Sequence, residues 1–81
     1  MEERTKVAKA YIKGIAKKSD FIALLDDLFI TDTERQVAEL VYLRGRSMEC
    51  VASDMQYSVQ TIKAIHKRFL LKVSTYIISH S

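Results

Sequence analysis

The 81 residues carry a net charge of +3, 48% hydrophobic side chains, no proline and two glycines, which predicts one helix-rich domain and leaves no length for a separate catalytic one. The charged start MEERTKVAKAYIKG lacks the apolar run of a signal peptide and no window approaches a membrane span, so a cytoplasmic protein with no membrane partner is expected; Cys50, the one cysteine, excludes an intrachain disulfide. Charge is uneven, with six Lys/Arg against Glu2 and Glu3 in residues 1–18, six acids against Arg35 in residues 19–43, and six bases against Glu49 and Asp54 in residues 44–81. An acidic middle therefore separates two basic ends, concentrating positive potential where phosphates can be met and leaving the acidic stretch to face another protein or the basic helices.

Residues 2–17 predict an amphipathic helix with Val7, Ala8, Tyr11, Ile12, Ile15 and Ala16 on one side and Lys6, Lys9, Lys13 and Lys17 on the other. Gly14 weakens it slightly and marks a close approach by another helix. Ser19 is the expected N-cap of a second helix, in which Phe21, Leu24, Leu25 and Leu28 form a stripe and Asp20, Asp26 and Asp27 stay in water. Thr31 with Glu34 forms a T-x-x-E capping box for a third, with Val37, Leu40 and Val41 inward, and Gly45 in the Arg44-Gly45-Arg46 turn takes the left-handed conformation that ends it. Ser47 caps a fourth helix running to about Met55, with Val51, Ala52 and Met55 inward and Ala52 small enough for two helices to cross closely. Gln56-Tyr57 turns the chain again, and Ser58 caps a fifth helix that continues to about Ile78. The expected fold is all-α: a four- to five-helix domain containing a helix-turn-helix, with an N-terminal amphipathic helix and a long C-terminal recognition helix. It is organised as N-terminal helices over 1–30, a core over 31–73 and a helical tail over 74–81.

The last helix sets Gln60, Lys63, Ala64 and Lys67 on one arc and Ile62, Ile65, Phe69 and Val73 on another. A third helix that is apolar underneath and basic and polar on top suits the major groove of DNA. Further along, Phe69, Val73 and Tyr76 project to the core side, while Leu71 and Ile78 project near the opposite side as exposed apolar residues. The expectation is a homodimer built on the last helix through Leu71, Tyr76 and Ile78, with the N-terminal helix packed against it; the competing reading is that the N-terminal helix covers these residues itself.

Other residues point away from chemistry. Cys50 reads as a small buried or half-buried side chain, and with His66 and His80 it lacks metal-ligand spacing. Asp26 and Asp27 lie about 100° apart on a helix, and no glycine-rich phosphate loop or nucleophile elbow is present. No enzyme, cofactor or metal is expected.

The segment TDTERQVAELVYLRGRSMECVASDMQYSVQTIK resembles the four-helix DNA-binding domain shared by LuxR-type response regulators and region four of bacterial sigma factors. The matching positions are Thr31, Glu34, Arg35 and Val37; Gly45; Ser47, Val51 and Ala52; and Ser58, Thr61, Ile62 and Lys63. The resemblance implies base-edge contact by Gln60, Lys63, Ala64 and Lys67. It implies phosphate contact by Ser58 and Thr61 at the helix N-terminus and by Arg44, Arg46 and Ser47 in the preceding turn, with Arg35 and Arg68 as weaker candidates. Without the surrounding motif, such a cationic face would be read as solvated surface. These families usually carry glycine where this chain has Gln56; a non-glycine residue at positive φ costs about 1 kcal/mol, so a somewhat reshaped turn is expected. The resulting expectation is a sequence-specific transcription regulator of bacterial or phage type that binds double-stranded DNA as a dimer. The alternative is a sigma-like interaction module that docks on RNA polymerase or another regulator through its acidic second and third helices.

Overall fold

A computed structural model describes residues 2–79; His80 lies outside them. The described residues are helical with no strand: α1 (Glu2–Lys13), α2 (Lys18–Asp27), α3 (Asp32–Ala38) continued by a π-helical turn (Glu39–Leu43), α4 (Met48–Met55) and α5 (Val59–Ser79). This is the all-α architecture expected. Among the described residues no helix is long and apolar enough to cross a membrane.

The first two helices differ from expectation at their ends. α1 stops at Lys13 rather than residue 17, because Gly14, a poor helix former, begins the exit: its N–H bonds to the carbonyls of Ala10 and Tyr11, and the next N–H, of Ile15, bonds back only three residues to Ile12. Only Ala8 and Ile12 of its apolar arc are buried; Val7, Tyr11 and Ala16 are exposed. Ser19 does not cap α2. The extended residue is Lys17 (φ −109°, ψ 137°), which makes no side-chain cap bond, so Ser19 already lies inside the helix. Of the α2 stripe, Phe21, Leu24 and Leu25 are buried as expected, whereas Leu28 is half-buried and is the C-cap rather than a residue of the helix; Asp20, Asp26 and Asp27 are exposed.

The later helices begin where their caps require. Thr31 Oγ1 accepts from the Glu34 N–H at 3.1 Å, and Glu34 Oε1 accepts from the Thr31 N–H at 3.0 Å, a reciprocal capping box. Ser47 Oγ accepts from the Cys50 N–H at 3.2 Å and starts α4, and Ser58 Oγ accepts from the Thr61 N–H at 3.1 Å and starts α5.

The helices divide into two compact units. One is Thr31–Phe69, holding α3, its π turn, α4 and the first half of α5; the other holds the residues up to Ile30 and those from Leu70 onward. The core of the Thr31–Phe69 unit is Val37 from α3, Val51 and Ala52 from α4, and Ile62 and Ile65 from α5, with Leu40, Val41, Met48, Met55 and Val59 packed against it. At ~25 cal/mol per Å2 of apolar surface removed from water, each of the large fully buried side chains Ile62, Val37 and Val51 contributes about 2 kcal/mol before entropy is charged against it. The other unit buries Ala8, Ile12, Phe21, Leu24, Leu25, Leu70, Val73 and Ser74, and there the Tyr76 hydroxyl donates to Asp27 Oδ2 at 3.4 Å. Leu71, expected to be exposed, is half-buried and lines a groove with Leu28; Ile78 is exposed as expected.

Candidate nucleic-acid interface

Two turns aim α5. After the π-helical turn, closed by the Arg44 N–H on the Glu39 carbonyl at 3.1 Å, Gly45 takes φ +65° with nothing within 4 Å of the position a Cβ would occupy. After α4, Gln56 takes φ 61°, ψ 40°. The Tyr57 N–H reaches the Ala52 carbonyl at 2.9 Å and the Gln56 N–H reaches the Ser53 carbonyl at 3.3 Å, the paired bonds of a Schellman stop. Gln56 therefore accepts the left-handed conformation itself. The strain is absorbed at this residue rather than avoided by a different turn.

With α5 so aimed, Gln60, Lys63, Ala64 and Lys67 are all exposed, on the arc opposite the buried Ile62, Ile65 and Phe69. This outward arc offers a glutamine able to pair with adenine, lysines able to reach guanine acceptors, and a small residue that lets a thymine methyl approach. Beside it, Ser58 and Thr61 are exposed, their hydroxyl oxygens 2.8 Å apart at the helix N-terminus where backbone N–H groups converge. Arg44, Ser47 and Arg68 are exposed as well. Arg46 is exposed but engaged, its guanidinium 2.6 Å from the Asp54 carboxylate; Arg35 is paired with Glu39 at 3.2 Å. Of the tail residues, Leu71 and Tyr76 are half-buried and Ile78 is exposed.

Behind the arc lies a polar pair that the sequence did not single out. His66 is buried on the inner side of α5, and its Nε2 is 2.6 Å from the Tyr42 hydroxyl, with the two rings stacked at 5.6 Å between centroids. Tyr42, in the π-helical turn, also meets Phe69 at 6.1 Å, and burial pushes its phenol up to about 12. These contacts pin α5 from its inner side, 24 residues from Tyr42 in sequence, a separation that helical periodicity cannot reveal. Tyr57, in the turn just before Ser58, is a further exposed aromatic next to the N-terminus of α5, a position that its place in a turn does not single out in the sequence. Cys50 is exposed on α4, not buried or half-buried as its residue type suggested. The inward positions of α4 are taken by its neighbours Val51 and Ala52, and Cys50 falls outside that stripe.

A family model for Sigma-70, region 4 matches residues 29–74. The chain belongs to the sigma-70 region 4 family. The match runs from the residues before the α3 capping box through the outward arc of α5 to Ser74, so both turns and every base-edge candidate lie within it. Region 4 is a helix-turn-helix domain, non-catalytic and generally DNA-binding in transcription, and that assignment holds for this segment. The likeness to LuxR-type domains rests on the shared helix motif alone. No curated protein and no solved structure matched the chain.

Proposed function

We propose that this region 4 domain is a sequence-specific transcription regulator that binds duplex DNA as a homodimer in the cytoplasm of a bacterial or phage-infected cell. The first turns of α5 lie in the major groove. Gln60, Lys63, Ala64 and Lys67 read base edges, while Ser58, Thr61, Ser47, Arg44, Arg46 and Arg68 meet phosphates, Arg46 by exchanging Asp54 for a phosphate oxygen. Leu71, Tyr76 and Ile78 belong to the dimer contact. The observation that carries the reading is the two-sidedness of α5 within a region 4 match: four residues of groove-reading type exposed on one arc, with Ile62 and Phe69 fully buried behind it.

The test is selection of bound duplexes from a random pool, followed by titration of the enriched site at several salt concentrations. Affinity should fall with a log–log slope of about −0.9 per phosphate contact. Lys63→Ala and Lys67→Ala should each weaken binding of the selected site by roughly five- to a hundredfold while barely changing non-specific binding. Equal binding by wild type and both variants would remove the reading.

A second reading is supported by the exposed carboxylates of Asp20, Asp26 and Asp27 on α2, a surface suited to RNA polymerase or another regulator protein rather than to DNA. Charge reversal at Asp26 and Asp27 that abolishes regulation, with the two lysine changes silent, would select it.

A further inference from the structure

Phe29 is 97% exposed, its whole ring in water, in the connector between α2 and α3. It stands at a predominantly apolar groove of about 480 Å³ whose other lining includes Asp27, Leu28, Leu71, Lys72, Thr75 and Tyr76. An apolar space of ~150 Å³ already accommodates a benzene ring, so this groove has room for a phenyl side chain from outside. One face of one chain thus carries both an aromatic projection and a recess that fits one. An interface about a two-fold axis needs that combination, because each copy must offer the same patch to the other and each must give what it takes. The charges agree: among the described residues the groove is lined by one carboxylate, Asp27, and one ammonium, Lys72, so a copy turned about a two-fold axis can set Asp27 of each chain toward Lys72 of the other. A partner surface of uniform sign would meet a like charge.

We infer that the occupant of this groove is a second copy of the chain, the Phe29 ring of each copy seated against Leu28, Leu71 and Tyr76 of the other. The inference rests on the dimer of the proposed function and adds to it the residue that each copy supplies to its partner's recess. A ring that goes from full exposure to a pocket is the kind of anchor that dominates a small interface, and Tyr76 offers it an aromatic neighbour. Such a dimer presents two α5 helices, which matches a DNA site with two-fold symmetry.

Sedimentation equilibrium of the full chain across the micromolar range tests this, with circular dichroism as the check on folding. Wild type should dimerise, and Phe29→Ala should raise the dimer dissociation constant by at least about thirtyfold, since an anchor is lost from both halves. Thr75→Trp, at an exposed position, should fill the groove and have a similar effect. Mixing the two variants is decisive: the Phe29→Ala copy keeps an open groove and the Thr75→Trp copy keeps the ring, so the mixture should associate more tightly than either variant alone. A wild-type monomer at several hundred micromolar, undiminished association of Phe29→Ala, or no gain on mixing overturns the inference. DNA titrations run in parallel separate the two proposals. A monomer that still depends on Lys63 and Lys67 for duplex binding defeats the docking and the homodimer but leaves the DNA contact standing, whereas a Phe29-dependent dimer indifferent to duplex DNA defeats the DNA reading and leaves the docking standing.

Discussion

Replacing Gln56 by glycine should make the protein more stable. Gln56 holds φ 61°, ψ 40°, the one non-glycine residue at positive φ among the described residues, and its side chain is exposed. For an L-residue with a Cβ the left-handed conformation costs about 1–2 kcal/mol, because Cβ crowds the following carbonyl oxygen. Glycine removes that crowding but has a freer unfolded chain, which returns about 0.5–1 kcal/mol. The net is a gain of roughly 0.5–1 kcal/mol, and for a domain of this size that is a rise in Tm of about 2–8 °C. The two Schellman bonds to the Ala52 and Ser53 carbonyls are made by backbone N–H groups, so they survive the substitution. Urea denaturation followed by circular dichroism should therefore show a higher midpoint with an unchanged slope. Gln56→Val, whose β-branch is least compatible with positive φ, should lower the midpoint, a loss of at least about 1 kcal/mol of stability. A glycine variant less stable than wild type, or a valine variant equal to it, would refute the strain argument and with it the geometry of this turn.

Tyr42→Phe keeps the ring against Phe69 and His66 but deletes the hydroxyl 2.6 Å from His66 Nε2, and should cost about 1–2 kcal/mol in the same denaturation assay; no loss would mean that the bond does not hold α5. Alkaline pH should act on the same contact. The Tyr42 phenol is raised from 10.0 to about 12 in the folded chain, so its stabilisation is fully present below pH 10 and disappears as pH rises from 10 to 12, where the unfolded chain gives up its proton first. Stability measured across that window should fall less steeply for Tyr42→Phe than for wild type, and identical slopes would count against the burial of Tyr42. Cys50, exposed on α4, should react stoichiometrically with an aromatic disulfide reagent in the native protein, and reaction only after denaturant is added would contradict its exposure.

What the sequence determined by itself is the part of this protein governed by contacts between residues three to six apart. The capping box of Thr31 and Glu34, the caps at Ser47 and Ser58, the left-handed Gly45 and the opposed arcs of α5 are local bonds and local periodicity, and a string of letters contains both. Where the local signal is ambiguous, helix ends shift. Ser19 is a good cap by type, but the chain enters α2 two residues earlier, at Lys17, and Gly14 ends α1 rather than merely weakening it. Long-range packing selects which of several apolar or polar residues at helical spacing are covered. It buried Ala8 and Ile12 but left Val7 and Tyr11 in water, and it exposed Cys50. It set His66 against Tyr42 across 24 residues, drew Arg46 onto Asp54, and left the Phe29 ring outside. Burial is a property of the whole packed chain, because a side chain leaves water only when another element arrives to cover it, and no pattern along a single helix records that arrival.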